Sequence, residues 1–136
     1  MNILILDENP FDLKTFEKVF KGWGTIMKTK EPEEAMALVK KGYVTKDPFE
    51  LIFLSTTLPR EKGLSVLQKI RAMEDERRIL KHRKSRIVML AEVIDLSKVA
   101  KSFAYFCDAY LFHPIDSEKL KKKLTFLYSK HIAGLT

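Results

Sequence analysis

The chain has 136 residues, 46% hydrophobic and 32% charged, with a formal net charge of +7 and one cysteine. That length fits a single domain with a real core, and it excludes two ordinary domains, a disordered chain and a metal-stapled mini-fold. A lone Cys107 excludes an internal disulfide, no apolar run reaches the roughly 18–20 residues of a membrane span, and no basic region precedes the first apolar run as in a signal peptide, so a soluble cytoplasmic domain is expected.

Residues 2–6 (Asn-Ile-Leu-Ile-Leu) are a short continuous apolar run that stops at Asp7-Glu8, the pattern of a strand buried on both faces. Leu13, Phe16, Val19 and Phe20 then recur at helical spacing from Pro10 to Lys21, and Gly22 and Gly24 end the helix. Residues 25–29 predict a weak second strand. Pro32 suits the first turn of a helix that carries Ala35, Leu38 and Val39 and ends at Gly42. A second strong strand is predicted from Phe49 to Leu54, stopping at Ser55-Thr56-Thr57. Pro59 and Gly63 punctuate a loop, and Leu64, Leu67, Ile70 and Met73 mark a long helix.

Ile87 to Leu90 predicts a fourth strand, followed by a short helix with Leu96, Val99, Ala100 and Phe103 that Asp95 would cap. Ala109 to Phe112 predicts a last strand, ending at His113-Pro114. Asp116 or Ser117 would cap a final helix with Leu120, Leu124 and Leu127 inward and Lys121, Lys122 and Lys123 in solvent. Strand and helix alternate five times, which predicts an α/β, doubly wound (βα)5 fold: a five-stranded parallel sheet with helices on both faces, over residues 1–130, with 131–136 as a C-terminal tail. Ligands of such sheets bind outside the carboxyl ends of the strands, here Asp7-Glu8, Ser55-Thr56-Thr57, Ala91-Glu92 and His113-Pro114.

Charge is unevenly spread. Residues 1–60 hold nine bases and nine acids, whereas residues 61–136 hold sixteen bases and nine acids, and residues 69–86 alone hold eight bases against three acids. This asymmetry allows an acidic partner or nucleic acid. No aromatic residue interleaves with those bases, so a solvated helix face is the first expectation, and a nucleic-acid-binding accessory role for segment 69–86 is the alternative.

The strand ends resemble receiver domains of response regulators (CheY-like). Ile3-Leu4-Ile5-Leu6-Asp7-Glu8-Asn9-Pro10 is similar to the family's first strand with its paired acids. Glu50 to Pro59, with Gly63 four residues on, is similar to the strand that ends in the phosphoaccepting aspartate and its following Met-Pro and glycine. Ile87-Val88-Met89-Leu90-Ala91 is similar to the strand that ends in Thr or Ser, and Cys107 to Pro114 to the strand with an aromatic and then Lys-Pro. The family's paired acids hold Mg²⁺, which draws phosphoryl oxygens toward the acceptor, while the hydroxyl and the lysine bind the phosphoryl group. The resemblance therefore implies a degenerate pocket: Asp7 and Glu8 remain, but Ser55 stands at the acceptor, Ala91 at the hydroxyl and His113 at the lysine. Ser55 cannot form an acyl phosphate, and with one of three carboxylates lost Mg²⁺ should bind at best weakly at Asp7 and Glu8. No catalytic residue, resident metal or cofactor is expected. The implied role is a phosphorylation-independent signalling module that binds another signalling protein.

The partner-binding face of the family would comprise Lys98, Lys101, Tyr105, Phe106, Tyr110, Lys119, Lys122 and Lys123 here. Phe106 occupies a position where the family often has glycine, so it either alters that surface or tucks under the last helix. Ser55, His113 and the acids superficially resemble a Ser-His-acid triad, but no glycine flanks Ser55 as a nucleophile elbow requires, and no oxyanion hole is evident. A second reading makes His113 a charge substitute that compensates Asp7 and Glu8 and titrates near neutral pH. His82 and His131 have no ligand-type neighbour at metal spacing and are expected to be solvated.

Overall fold

In the computed structural model, which describes residues 1–135 apart from Val93 and Asp95, and side chains through residue 128, five strands alternate with five helices. The strands are β1 (Asn2–Leu6), β2 (Thr25–Thr29), β3 (Leu51–Ser55), β4 (Arg86–Ala91) and β5 (Ala109–Phe112). The helices are α1 (Pro10–Phe20), α2 (Pro32–Val44), α3 (Lys62–Glu76), α4 (Leu96–Ala104) and α5 (Ser117–Leu135). The sheet is wholly parallel in the order β2-β1-β3-β4-β5. The doubly wound architecture expected from the alternation is the one observed.

Burial explains why three strands stand out in the sequence and two do not. The inner strands β1, β3 and β4 are covered on both faces and are almost entirely buried, so they are continuous apolar runs. β2 lies on one edge and buries only Thr29 fully, and β5, on the other edge, alternates buried and half-buried residues. Ile3, Ile5, Phe53, Val88 and Leu90 face one core with Phe16 and Phe20 of α1 and Leu120, Leu124 and Leu127 of α5. Leu4, Leu6, Ile52, Leu54 and Met89 face the other, against α2 and α3. At roughly 1.5–3 kcal/mol for each fully buried large apolar side chain, these two layers supply most of the drive to fold.

Several ends depart from the sequence reading. Gly63, read as loop punctuation, lies inside the first turn of α3. A Cβ there would overlap the Ser55 carbonyl oxygen, so the glycine lets the helix start directly on the end of β3. Two consecutive left-handed residues, Arg60 (φ 58°) and Glu61 (φ 54°), swing the chain into that approach. The cap of α5 is Asp116, whose Oδ1 accepts from the Lys119 N–H at 2.8 Å. That helix continues through Leu135, into the segment 131–136 read as a tail. The expected cap Asp95 lies outside the described residues. No described helix is long and apolar enough to cross a membrane.

Candidate functional site

The parallel register sets the carboxyl ends of β1, β3, β4 and β5 side by side, which gathers Asp7, Ser55, Ala91 and His113 at one rim of the sheet. Asp7 is 2% exposed and Ser55 and Ala91 are fully buried. Glu8, beside Asp7, is exposed and does not belong to the cluster of Asp7, Asp12 and His113.

A residue not singled out from the sequence takes its place. Asn9 caps α1 by accepting from the Phe11 N–H at 2.9 Å and the Asp12 N–H at 3.3 Å, with Pro10 at the first helical position. This fixes Asp12 in the first turn, where its buried carboxylate reaches His113: Asp12 Oδ2 lies 2.7 Å from His113 Nε2. The other ring nitrogen, Nδ1, is 3.2 Å from the Ala91 carbonyl oxygen and 3.4 Å from Glu92 Oε1. A signal for Asp12 was present in the sequence. It sits at i, i+4, i+8 with Phe16 and Phe20, so it is the one acid on the buried stripe of α1.

The members of this group shift one another's protonation. Burial is the largest influence on Asp7, and with the hydrogen bond and negative charge of Asp12 it pushes the Asp7 carboxyl up to about 7; the Asn9 N–H, 3.2 Å from Oδ1, and the His113 charge work the other way. His113 is driven down by burial, but the Asp12 hydrogen bond and charge, then Glu92 and the Ala91 carbonyl, outweigh it and hold the imidazole above its ordinary value. Burial and Asp12 thus favour the protonated form of Asp7, and Asp12 favours the protonated form of His113. Compensation by His113 was expected for Asp7 and Glu8; its direct contact is with Asp12, and its charge also acts on Asp7. Asp7 Oδ2 accepts no hydrogen bond among the described residues, and the ligand-capable atoms of Asp7, Asp12 and His113 lie within 4.8 Å of one another.

Ser55 makes its contacts within its own loop. Its Oγ is 2.8 Å from Thr57 Oγ1 and accepts from the Thr57 N–H at 3.2 Å. Thr56 is tied to β4, its N–H and Oγ1 both donating to the Leu90 carbonyl. No hydrogen bond joins Ser55 to His113 among the described residues, so the triad geometry is not assembled.

The expected partner face divides. Lys98 reaches over the rim to donate to the Thr56 carbonyl at 3.3 Å, Lys101 pairs with Glu61 at 3.4 Å, and Tyr105 packs partly into the core. Tyr110 is half-buried between Phe103 and Phe112, with the Lys123 ammonium 5.4 Å from its ring centroid; Lys119 and Lys122 line the same groove of about 400 Å³. Phe106 does not line that groove and is not under α5. It is 74% exposed and opens onto a second groove beside Leu80, Lys84 and Arg86. Its φ of 67° accounts for a glycine preference at this position.

The basic segment 69–86 is not one solvated face. Arg71 is 8% exposed and donates to the Phe106 carbonyl (2.8 Å), Glu74 Oε1 (2.7 Å), the Ser85 carbonyl (2.9 Å) and Asp108 Oδ2 (2.9 Å). Lys84 pairs with Asp75 at 2.9 Å. Arg77 lies over Tyr43 of α2 and Arg86 over Tyr128 of α5, helices on opposite faces of the sheet.

The sequence pattern of the response regulator receiver domain matches residues 3–125. The chain belongs to that family. It is 30% identical over 130 residues to the two-component response regulator ARR22 of Arabidopsis thaliana, covering 95% of this receiver and 82% of that protein. Its fold is similar to a CheY-like receiver domain of Methanospirillum hungatei (TM-score 0.75, 17% identity, 98% and 97% of the two chains). It is equally similar, at TM-score 0.75, to a structure of the Saccharomyces cerevisiae phosphotransfer protein Ypd1 with the receiver domain of Ssk1 (23% identity, 92% and 86%). A complex of CheX, CheY, BeF3 and magnesium from Borrelia burgdorferi gives the same score (20% identity, 94% and 89%). The receiver is therefore a two-component signalling domain with the family's sheet order and helices.

Proposed function

We propose that this receiver signals by binding a partner protein without passing through an aspartyl phosphate. The observation that carries the reading is Ser55 at the end of β3, where the family resemblance places the acceptor: a neutral hydroxyl, fully buried and hydrogen-bonded to Thr57. Two neighbours support it. Ala91 has no hydroxyl to offer a phosphoryl oxygen, and both ring nitrogens of His113, at the lysine position, face carbonyl or carboxylate oxygens of the protein.

The magnesium ion that the family implies does not fit these residues. Mg²⁺ demands six oxygens in near-ideal octahedral geometry. Here Glu8 is exposed and outside the Asp7, Asp12 and His113 cluster, Ser55 supplies no charge, and the carboxylate next to Asp7 already pairs with an imidazole. No phosphoryl step is derived through it.

Partner binding finds support in the groove of Tyr110, Phe112, Phe126 and three lysines, which combines aromatic anchors with positive charge. A nucleic-acid role for segment 69–86 has less support, since Arg71 is buried in ion pairs and Arg77 and Arg86 diverge.

Adding acetyl phosphate or beryllofluoride with Mg²⁺ while following amide shifts tests the reading. Resonances around Ser55 and Tyr110 are expected to stay in place. Saturable shifts there would overturn it.

A further inference from the structure

We propose that Asp7, Asp12 and His113 form a binding site for one divalent transition-metal ion of the zinc class. The site is distinct in composition from the magnesium site of the family, because Asp12 and His113 stand outside the paired acids and the acceptor position. It also stands independently of whether the domain is phosphorylated.

Three observations carry the assignment. The first is ligand geometry. One atom from each residue lies within 4.8 Å of the other two. A tetrahedral zinc ion, with bonds of about 2.0–2.2 Å to nitrogen and oxygen, sets its ligand atoms roughly 3.3–3.6 Å apart. Asp12 Oδ2 and His113 Nε2, now 2.7 Å apart across a proton, need only separate by less than an ångström once the ion replaces that proton.

The second is a buried oxygen without a donor. Asp7 is 2% exposed, its Oδ1 accepts from the Asn9 N–H, and its Oδ2 meets no hydrogen-bond donor. With a second carboxylate beside it, that oxygen needs either a retained proton or a cation between the two aspartates, and an ion takes the proton's place.

The third is the orientation of the imidazole. Both ring nitrogens face acceptors, Nδ1 the Ala91 carbonyl at 3.2 Å and Nε2 the Asp12 carboxylate at 2.7 Å, so when an ion displaces the Nε2 proton the carbonyl keeps the remaining one on Nδ1. In the neutral ring Nε2 then presents its lone pair to Asp7 and Asp12. Metal-bound histidines are oriented by this kind of outer bond from the far nitrogen. The Asn9 N–H does the same for Asp7, and the first turn of α1 fixes Asp12.

The donor set decides the metal. One imidazole and two carboxylates suit zinc and its first-row neighbours, whereas magnesium prefers oxygen donors and retains its waters. Three protein ligands leave a coordination position for water or an exogenous group.

Isothermal titration of the whole chain, stripped with EDTA, with zinc chloride and separately with magnesium chloride provides the test. One equivalent of zinc is expected to bind, with magnesium at a hundredfold excess failing to displace it. His113→Gln and Asp12→Asn are each expected to weaken zinc at least tenfold, while His82→Gln, His131→Gln and Cys107→Ser leave it unchanged. In the unmodified protein, zinc is expected to shift the His113 ring nitrogens, a readout that does not depend on any variant folding. The proposal is overturned if zinc fails to bind, if binding persists in His113→Gln, if it follows His82 or His131, or if the His113 resonances do not move.

Discussion

Replacing Asp7 by asparagine should make the protein more stable at alkaline pH and flatten its stability between pH 4 and 7. The wild-type carboxyl is held at about 7 against an ordinary value of 3.8. Between those values the folded protein keeps a proton that the unfolded chain has lost. The unfolded state thus binds fewer protons, and stability falls as pH rises through this window. The contribution is complete below pH 4 and gone above about pH 7. At 1.36 kcal/mol per pKa unit the swing is about 4 kcal/mol, which is large against the 5–15 kcal/mol that typical domains possess. Asp7 is almost wholly buried, so solvent screening takes little from it. Asp7→Asn keeps an oxygen to accept from the Asn9 N–H and removes the ionisation. Urea unfolding at half-unit steps from pH 4.5 to 8, with EDTA throughout, should give a variant-minus-wild-type difference that is small at the acid end. The difference should grow to several kcal/mol in favour of the variant at pH 8. His113, also raised, adds a loss of stability above its ordinary 6.5, so the interval from pH 4.5 to 6 isolates Asp7. Parallel curves across the range, or a variant less stable at pH 8, would refute the reasoning.

Three further outcomes follow from the packing. Arg71→Ala should cost about 3–5 kcal/mol in urea unfolding, because it strands the fully buried Glu74 carboxylate and frees Asp108 and the Phe106 carbonyl; a loss under 1 kcal/mol would show the ion pairs to be incidental. Phe106→Gly should leave stability unchanged or raise it by up to about 1 kcal/mol, since φ is 67° and the ring is exposed, whereas Phe106→Val should lower the thermal midpoint because a β-branched residue resists that backbone. Gly63→Ala should destabilise by at least about 1–3 kcal/mol, read as a lower denaturation midpoint, because the new methyl overlaps the Ser55 carbonyl in a rigid strand-to-helix junction.

The fold was legible because three inner strands are buried on both sides and so read as unbroken apolar runs, with breakers between them. The rim positions Asp7, Ser55, Ala91 and His113 followed from the same runs, as each lies where one ends. Their partners did not. Asp12 meets His113 across 101 positions of sequence, and pairings of that range leave no local periodicity. Glu8 was grouped with Asp7 as the second of the family's paired acids, yet Asp7 is buried and Glu8 exposed. Arg71 looked like one base among eight in a charged stretch, and only the folded α3 shows it to be nearly covered. Phe106 was recognised as unusual, but its direction depends on a left-handed backbone that a phenylalanine does not advertise.

The Arg71 guanidinium has a mechanical consequence. It ties α3, the start of β4 through the Ser85 carbonyl, and the link from α4 to β5 through Phe106 and Asp108, all at the amino-terminal rim of the sheet. Toward the opposite rim, Lys98 of α4 donates to the Thr56 carbonyl and Lys101 pairs with Glu61. One end of α4 is therefore joined through a buried guanidinium and the other through lysine contacts. Because one guanidinium holds α3, the start of β4 and the α4–β5 link together, losing it releases three segments of the chain at once.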